Sequence, residues 1–514
     1  MENITRRGML GALGLAGMAG IAAGAPQHAF AVDDKALQAV DTMSAAGEVA
    51  SIDTVQDNRD MQTFGTAPVE ATELTGWTGT PQHIADLGGS TMPLAEMNRR
   101  RKEYLDSQTE YVMEDGTVVP AVYTKVRALI HSYGIGSGNT PIDSSFTELM
   151  NEMSEEQAQA FLDMPWGEKF TALDLFEKGG RTLDECREVC DYLADTGYLC
   201  RFETNAGTMY HQVPYFTGTY EYHQRKTIES GGTFVHPIVG ADLTPNDMAT
   251  TGTPVYYAIP CDESVVGEGG ILLYDDVHKI IDGRNTFALA TCYCRYQALV
   301  RALEAEGNHD YPSIEDFASG QYEDYMSPVD GHRVETCLLM GDEAEYWVSL
   351  GVARYITKED ARRFMERSRD DGFILQSIYS KVTENICSCH GDCCGIIGMW
   401  RALGGKEDIE GSKSFSQMTH YTLEVDFDSC AKCGTCAARC PLSAITMDGE
   451  YNGETGFPQV TDLCFRCGQC AYVCPMEARK LVLRPEDEIL EMPYDVLDAV
   501  NQQTGYRFEH ELIF

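Results

Sequence analysis

The cysteine run Cys430-Ala431-Lys432-Cys433-Gly434-Thr435-Cys436-Ala437-Ala438-Arg439-Cys440-Pro441 recurs as Cys464-Phe465-Arg466-Cys467-Gly468-Gln469-Cys470-Ala471-Tyr472-Val473-Cys474-Pro475, with equivalent cysteines 34 residues apart. Both copies keep the spacing C-x2-C-x2-C-x3-C-P, and Asp428 and Asp462 stand two residues ahead of them, so the segment is an internal duplication. Three thiolates separated by two residues wrap one face of a cubane of iron and sulfide and leave its fourth iron to a cysteine from elsewhere in the chain. Zinc also takes cysteine pairs of this spacing, but two identical four-cysteine runs favour iron-sulfur centres.

The segment resembles the two-cluster ferredoxins of bacteria, in which the fourth cysteine of each run ligates the other cluster. The resemblance implies one 4Fe-4S cluster on Cys430, Cys433, Cys436 and Cys474, and a second on Cys464, Cys467, Cys470 and Cys440. Thr422 to Asp426 and Lys480 to Leu483 read as the outer strands of this unit, with a Gly-rich hairpin loop between Cys440 and Cys464.

At the other end, Thr5-Arg6-Arg7-Gly8-Met9-Leu10 precedes a Gly/Ala-rich apolar stretch that closes at Ala29-Phe30-Ala31. This reads as a twin-arginine export signal, with Met9 where an aromatic residue is commoner. The competing reading is an uncleaved anchor, although the glycines and alanines between Gly8 and Ala25 leave the stretch weakly apolar. Export and clusters agree, because thiolate-bound iron is inserted into a folded chain and the twin-arginine route carries folded proteins. The expectation is an exported, periplasmic or otherwise extracytoplasmic protein. No second apolar run follows and no cysteine near the signal accepts a lipid, so the mature chain is expected to lack a transmembrane segment and to be soluble or held peripherally at a membrane.

A formal charge of -41 disfavours nucleic acid and anionic lipid as partners, and serves either to steer a basic partner or to maintain solubility. Nineteen cysteines in an exported chain would ordinarily mean disulfides. Eight belong to the duplicated runs, and the C-x-C and C-C spacings among the other eleven suit metal or redox chemistry better.

The length implies roughly three domains, and the expected fold class is α+β and multidomain. Residues 1–31 are the signal and 32–120 an extended arm followed by a helical segment. Residues 121–225 read as a helical, winged-helix-like domain: short helices Glu155 to Leu162 and Ala172 to Lys178, a third helix Leu183 to Thr196 opened by a Thr182/Glu185 capping box, then two strands around Asn205-Ala206-Gly207. Such modules usually read DNA, but Arg187 is the only basic residue of that third helix, so an interaction or scaffolding role is expected instead. Cys186 and Cys190 share a face of the helix and read, like Cys200, as buried small hydrophobes. Residues 226–402 form a mixed α/β cysteine-rich middle domain, 403–420 a linker, 421–487 the two-cluster unit and 488–514 a tail.

The middle region carries Cys292-Tyr293-Cys294-Arg295, then Cys337, then Cys387-Ser388-Cys389-His390-Gly391-Asp392-Cys393-Cys394. With Tyr215-Phe216-Thr217-Gly218-Thr219-Tyr220-Glu221-Tyr222 and the duplicated tail, this resembles a group of anaerobe 4Fe-4S binding proteins that join a winged-helix-like segment, a C-x-C-R middle domain and a two-cluster ferredoxin tail. The resemblance covers about 120 to 487. The chain departs from it where thiols would align with His390 and Asp392, in lacking a cysteine shortly before Cys337, and at Tyr296. The residues themselves point to a third cluster or a mononuclear metal site drawing on Cys292, Cys294, Cys337, Cys387, Cys389, His390, Cys393 and Cys394, against reactive or disulfide-forming thiols. Arg295 beside two thiolates would favour their charged form. Cys261 stands alone and reads as structural. The glycine cluster Gly134 to Gly138 reads as a loop, and no motif for covalent haem, nucleotide or serine or zinc hydrolysis occurs.

The leading expectation is an exported electron-transfer protein relaying single electrons through two 4Fe-4S clusters to or from a partner reductase or oxidase. The rivals are an oxidoreductase in its own right, with a metal or corrinoid centre in the middle domain fed by the tail, and a redox-sensing interaction module. Export signal plus cluster-bearing tail is superficially like corrinoid-dependent reductive dehalogenases, but their second cysteine block is usually truncated and this one is complete.

Overall fold

The computed structural model describes residues 90–514 apart from 205–206, 224–225, 227–236, 238, 241–250, 268–269, 273, 407–417, 490 and 514. The export signal, nearly all of the arm, the start of the hairpin turn and most of the linker lie outside the described residues. Among those described, no helix is long and apolar enough to cross a membrane.

The amino-terminal part is helical. Leu94–Asp106 and Ala121–His131 are followed by Asp143–Glu152, Glu155–Asp163, Ala172–Glu177 and Leu183–Asp195. Thr182 caps the last of these: its hydroxyl accepts from the Glu185 N–H and the Glu185 carboxylate accepts from the Thr182 N–H at 2.7 Å. Cys186, Cys190, Val189 and Leu193 form its buried face. The antiparallel hairpin Leu199–Thr204/Gly207–Gln212 follows, so the chain runs helix, helix, helix, hairpin. The module is not isolated, because the Tyr346 hydroxyl of the middle domain donates to Ala194 O at 2.7 Å.

The middle domain is built on a six-stranded antiparallel sheet. Across it the strands run Tyr256–Ile259, Ile374–Ile378, Asn385–Cys389, Glu335–Met340, Phe287–Thr291 and Ala353–Ile356. Side chains alternate between its faces. Leu338, Met340, Ile386, Leu375, Tyr257 and Leu289 face helices Val277–Asp282 and Lys358–Asp370 in one core. Cys337, Leu339, Cys389, Ala288 and Ala290 face the other, larger core, which is continuous with the helical part.

The carboxy-terminal unit pairs Tyr421–Val425 with Arg479–Leu483, and Ile445–Tyr451 with Glu454–Val460. The second pair turns at Asn452 and Gly453, both at positive φ. The duplication also shows in the backbone: Lys432 and Arg466, Gly434 and Gly468, and Ser443 and Glu477 are equivalent pairs, and all six lie at positive φ. The segment read as a tail forms the helix Val496–Glu509. This helix packs back on the helical part, where the Arg507 guanidinium donates to His131 O and Gly134 O at 2.7 and 3.0 Å. Gly136 admits that guanidinium: a Cβ there would lie 2.5 Å from it.

Candidate iron-sulfur and thiol sites

Three cysteine-lined cavities occur in the described residues. Cys430, Cys433, Cys436 and Cys474 line one of about 370 Å³ together with Lys432, Pro475 and Arg479. Cys440, Cys464, Cys467 and Cys470 line another of about 350 Å³ with Phe465, Ile445 and Leu442. Each quartet thus takes three cysteines from one run and the last from the other, because the hairpin between Cys440 and Cys464 folds the two runs face to face.

Donors already point at these sulfurs. The Ala444 N–H reaches Cys440 Sγ at 3.2 Å, the Arg466 N–H reaches Cys464 Sγ at 3.3 Å, and Thr435 Oγ1 lies 3.3 Å from Cys433 Sγ. That hydroxyl contact lowers the Cys433 thiol from its ordinary value. Burial instead pushes the Cys470 thiol up to about 11 and the Cys467 thiol well above its usual value. Such buried thiols give up their protons when a cation takes the proton's place, and the N–H donors suit thiolate ligands, so the residues fit the clusters.

The quartets differ in setting. Cys433 is exposed, which opens the outer quartet to the surface. The inner quartet lies against the middle domain. The Cys261 N–H donates to Cys467 O at 3.0 Å, Trp400 Nε1 to Leu463 O at 3.0 Å, and the Gly391 N–H to Pro441 O at 3.2 Å. Cys261, read from sequence as standing alone, is therefore part of this seam. Arg479 sits between the quartets: it lines the outer cavity while its guanidinium lies 3.5 Å from Cys470 Sγ.

The third cavity spans about 1050 Å³ of space, part of it open to solvent, and its wall contains Cys292, Cys294, Cys337, Cys387, Cys389, Cys393 and Cys394. Strand register assembles them. Cys387 pairs directly with Cys337 on the neighbouring strand, and Cys389 lies two residues on, on the same face. Cys292 and Cys394 precede the helices Tyr293–Ala305 and Gly395–Ala402, whose positive ends face the thiols. Hydrogen bonding from Cys294 brings the Cys292 thiol down to about 7, and bonds from Cys337 and Cys389 hold the Cys387 thiol well below its usual range.

Arg295 lines the same wall, fully buried, with its guanidinium 4.8 Å from the Phe373 ring centroid, and its Nη2 makes no hydrogen bond among the described residues. His390 is absent from the lining. It turns instead to Asp392, its Nδ1 3.0 Å from Oδ2.

Sequence reasoning missed the rest of the wall. Tyr133, Tyr222, Trp347, Glu221, Glu343 and Val500 come from segments far apart in the chain. Burial pushes the Glu221 carboxyl up to about 8 and that of Glu343 to about 7. The Glu343 carboxylate accepts from Tyr222 Oη at 2.7 Å and from Trp347 Nε1 at 2.8 Å. Only Glu221 and Tyr222 had a sequence signal, since they fall in the motif that follows the hairpin.

No curated protein and no solved structure matches the chain. Residues 424–478, which contain both quartets, match a family model described as a 4Fe-4S dicluster domain. Within a mixed α/β chain, this stretch is therefore similar to iron-sulfur dicluster domains and supports a ferredoxin-like, iron-sulfur electron-transfer unit at the carboxy-terminal end.

Proposed function

We propose that this chain is an exported electron-transfer protein in which Cys430, Cys433, Cys436 and Cys474 hold one 4Fe-4S cluster and Cys440, Cys464, Cys467 and Cys470 hold a second. Clusters of this type exchange single electrons, here with a partner reductase or oxidase outside the cytoplasm. The observation that carries the reading is the sorting of the eight cysteines into two separate cavities, each completed by the last cysteine of the opposite run. The outer quartet serves as the contact with the partner, because Cys433 is exposed. The inner quartet faces the middle domain.

The seven thiols of the middle cavity form a third metal-sulfur centre in this reading, with Arg295 as the buried cation that offsets thiolate charge. Native protein purified without oxygen should carry about eight irons if only the tail is loaded and about twelve if the middle cavity holds a third four-iron cluster. Iron-free protein, or zinc in the quartets, would overturn the reading.

A second reading, an oxidoreductase whose reacting centre is the middle cavity, is favoured by the buried acids Glu221 and Glu343 in its wall. Turnover of a small molecule by purified protein, or a corrinoid or flavin absorption spectrum, would select it over the shuttle.

A further inference from the structure

The geometry points to a separate site for a single divalent cation of the zinc or ferrous type, made by His332, His390 and Asp392 beside the thiol cavity. His332 lies just ahead of the strand Glu335–Met340, and His390 and Asp392 just past the strand Asn385–Cys389. These strands are antiparallel neighbours in register at Cys337 and Cys387, so the start of one and the end of the other meet at the same end of the sheet. Rigid strands thereby bring together three donors that the sequence keeps in two distant segments.

The donor atoms converge. One ligand atom from each residue lies within 4.8 Å of the others. Asp392 Oδ2 is 3.0 Å from His390 Nδ1 and 3.3 Å from His332 Nε2. The two imidazole rings sit 4.3 Å apart, and the Phe373 ring packs against His332 at 5.3 Å, so neither ring turns freely. His390 Nδ1 is buried and has no aligned hydrogen-bond partner. A ring nitrogen held 3.0 Å from a carboxylate oxygen has the spacing of two ligand atoms on one metal ion.

Two imidazoles and one carboxylate suit zinc or ferrous iron better than calcium or magnesium, which prefer oxygen alone. Partial exposure of His332, His390 and Asp392, at 23%, 26% and 32% of their side chains, leaves room for water in the remaining coordination positions. The Arg295 guanidinium is 3.5 Å from the Asp330 carboxylate, and Asp330, Asp392 and Cys393 bring a second set of donor atoms within 4.8 Å of one another. The cation site therefore adjoins the thiols through Asp392 and Cys393 but is distinct from them. It takes His390 out of the thiol centre and is independent of the cluster assignments above.

The test uses anaerobic holoprotein washed with EDTA, with iron content and EPR recorded before and after dialysis against zinc. One zinc per chain should bind without loss of iron, and zinc X-ray absorption should show only nitrogen and oxygen neighbours at about 2.0–2.2 Å. His332→Ala and His390→Ala should each weaken binding at least roughly tenfold, the lower end of what outer-shell changes cost, while iron content and EPR stay unchanged. Sulfur neighbours at about 2.3 Å, unchanged affinity in both variants, displacement of iron, or no zinc bound to the wild-type protein would each overturn the site. Because iron and zinc are counted in the same samples, failure of this site and failure of the cluster reading remain distinguishable.

Discussion

The backbone N–H of Gly391 donates to the carbonyl of Pro441 across 3.2 Å, so the middle cysteine run touches the chain immediately after Cys440 of the inner quartet. Two cysteine systems that are separate in sequence share a backbone contact. Around it, the Arg401 guanidinium donates to Gly391 O and to Leu442 O, and the Trp400 ring packs on Phe465 at 5.4 Å.

Gly391→Ala should loosen this seam. A Cβ at 391 would lie 2.5 Å from the Pro441 carbonyl oxygen and 2.7 Å from the Arg401 guanidinium, an overpacked contact that costs about 1–3 kcal/mol. The expected result is a lower melting temperature with the iron of the tail retained. An unchanged melting temperature would show that the seam does not hold the two units together.

Substitution of the crossing cysteines should separate the quartets. Cys474→Ser should disturb the cluster served by Cys430, Cys433 and Cys436, and Cys440→Ser the one served by Cys464, Cys467 and Cys470. EPR of each reduced variant should retain the signal of the untouched cluster, and Cys474→Ser should match Cys430→Ser in which signal it loses.

Arg479→Gln should shift reduction potentials downward. Burial works against the charge of Arg479, yet the neighbouring Cys470, Cys436 and Cys464 sulfurs raise its pKa, so the guanidinium stays cationic between the quartets. Reduction adds negative charge to a cluster, and removing a nearby cation disfavours it. Redox titration should give a more negative midpoint for at least one cluster, with iron content unchanged.

Acid should destabilise the helical part through two buried histidines. Burial lowers His211 from 6.5 to about 4 and holds His131 well below 6.5, where its Nδ1 accepts from the Ser137 N–H. Both are neutral in the folded chain, whereas the unfolded chain takes up protons as pH falls through 6.5. Their stabilisation is complete above 6.5 and is lost on the way down towards 4, and His211 alone accounts for about 3 kcal/mol. Thermal melts between pH 7 and 4 should fall steeply for the wild-type chain and less steeply for His211→Gln.

Local pattern was legible wherever spacing or capping carried it. The cysteine duplication marked eight thiols in two runs, while their division into quartets was implied only by the ferredoxin resemblance; Thr182 with Glu185 marked a helix start that the fold keeps. The Cys440 to Cys464 interval declared its hairpin by its glycines. The closing segment was not legible as a helix, because its apolar residues find their partners only on the distant helical part.

The middle site divides in the same way. The sequence by itself determined which residues are thiols, and it marked three stations of them. Only the tertiary structure decided that strand pairing at Cys337 and Cys387 gathers all seven into one wall with Glu221, Glu343 and Arg295, and that His390 leaves them for His332 and Asp392. The reason is physical: ligand spacing within one turn or strand is a local property of the chain, whereas a cavity wall is made by sheet register and by packing between segments hundreds of residues apart.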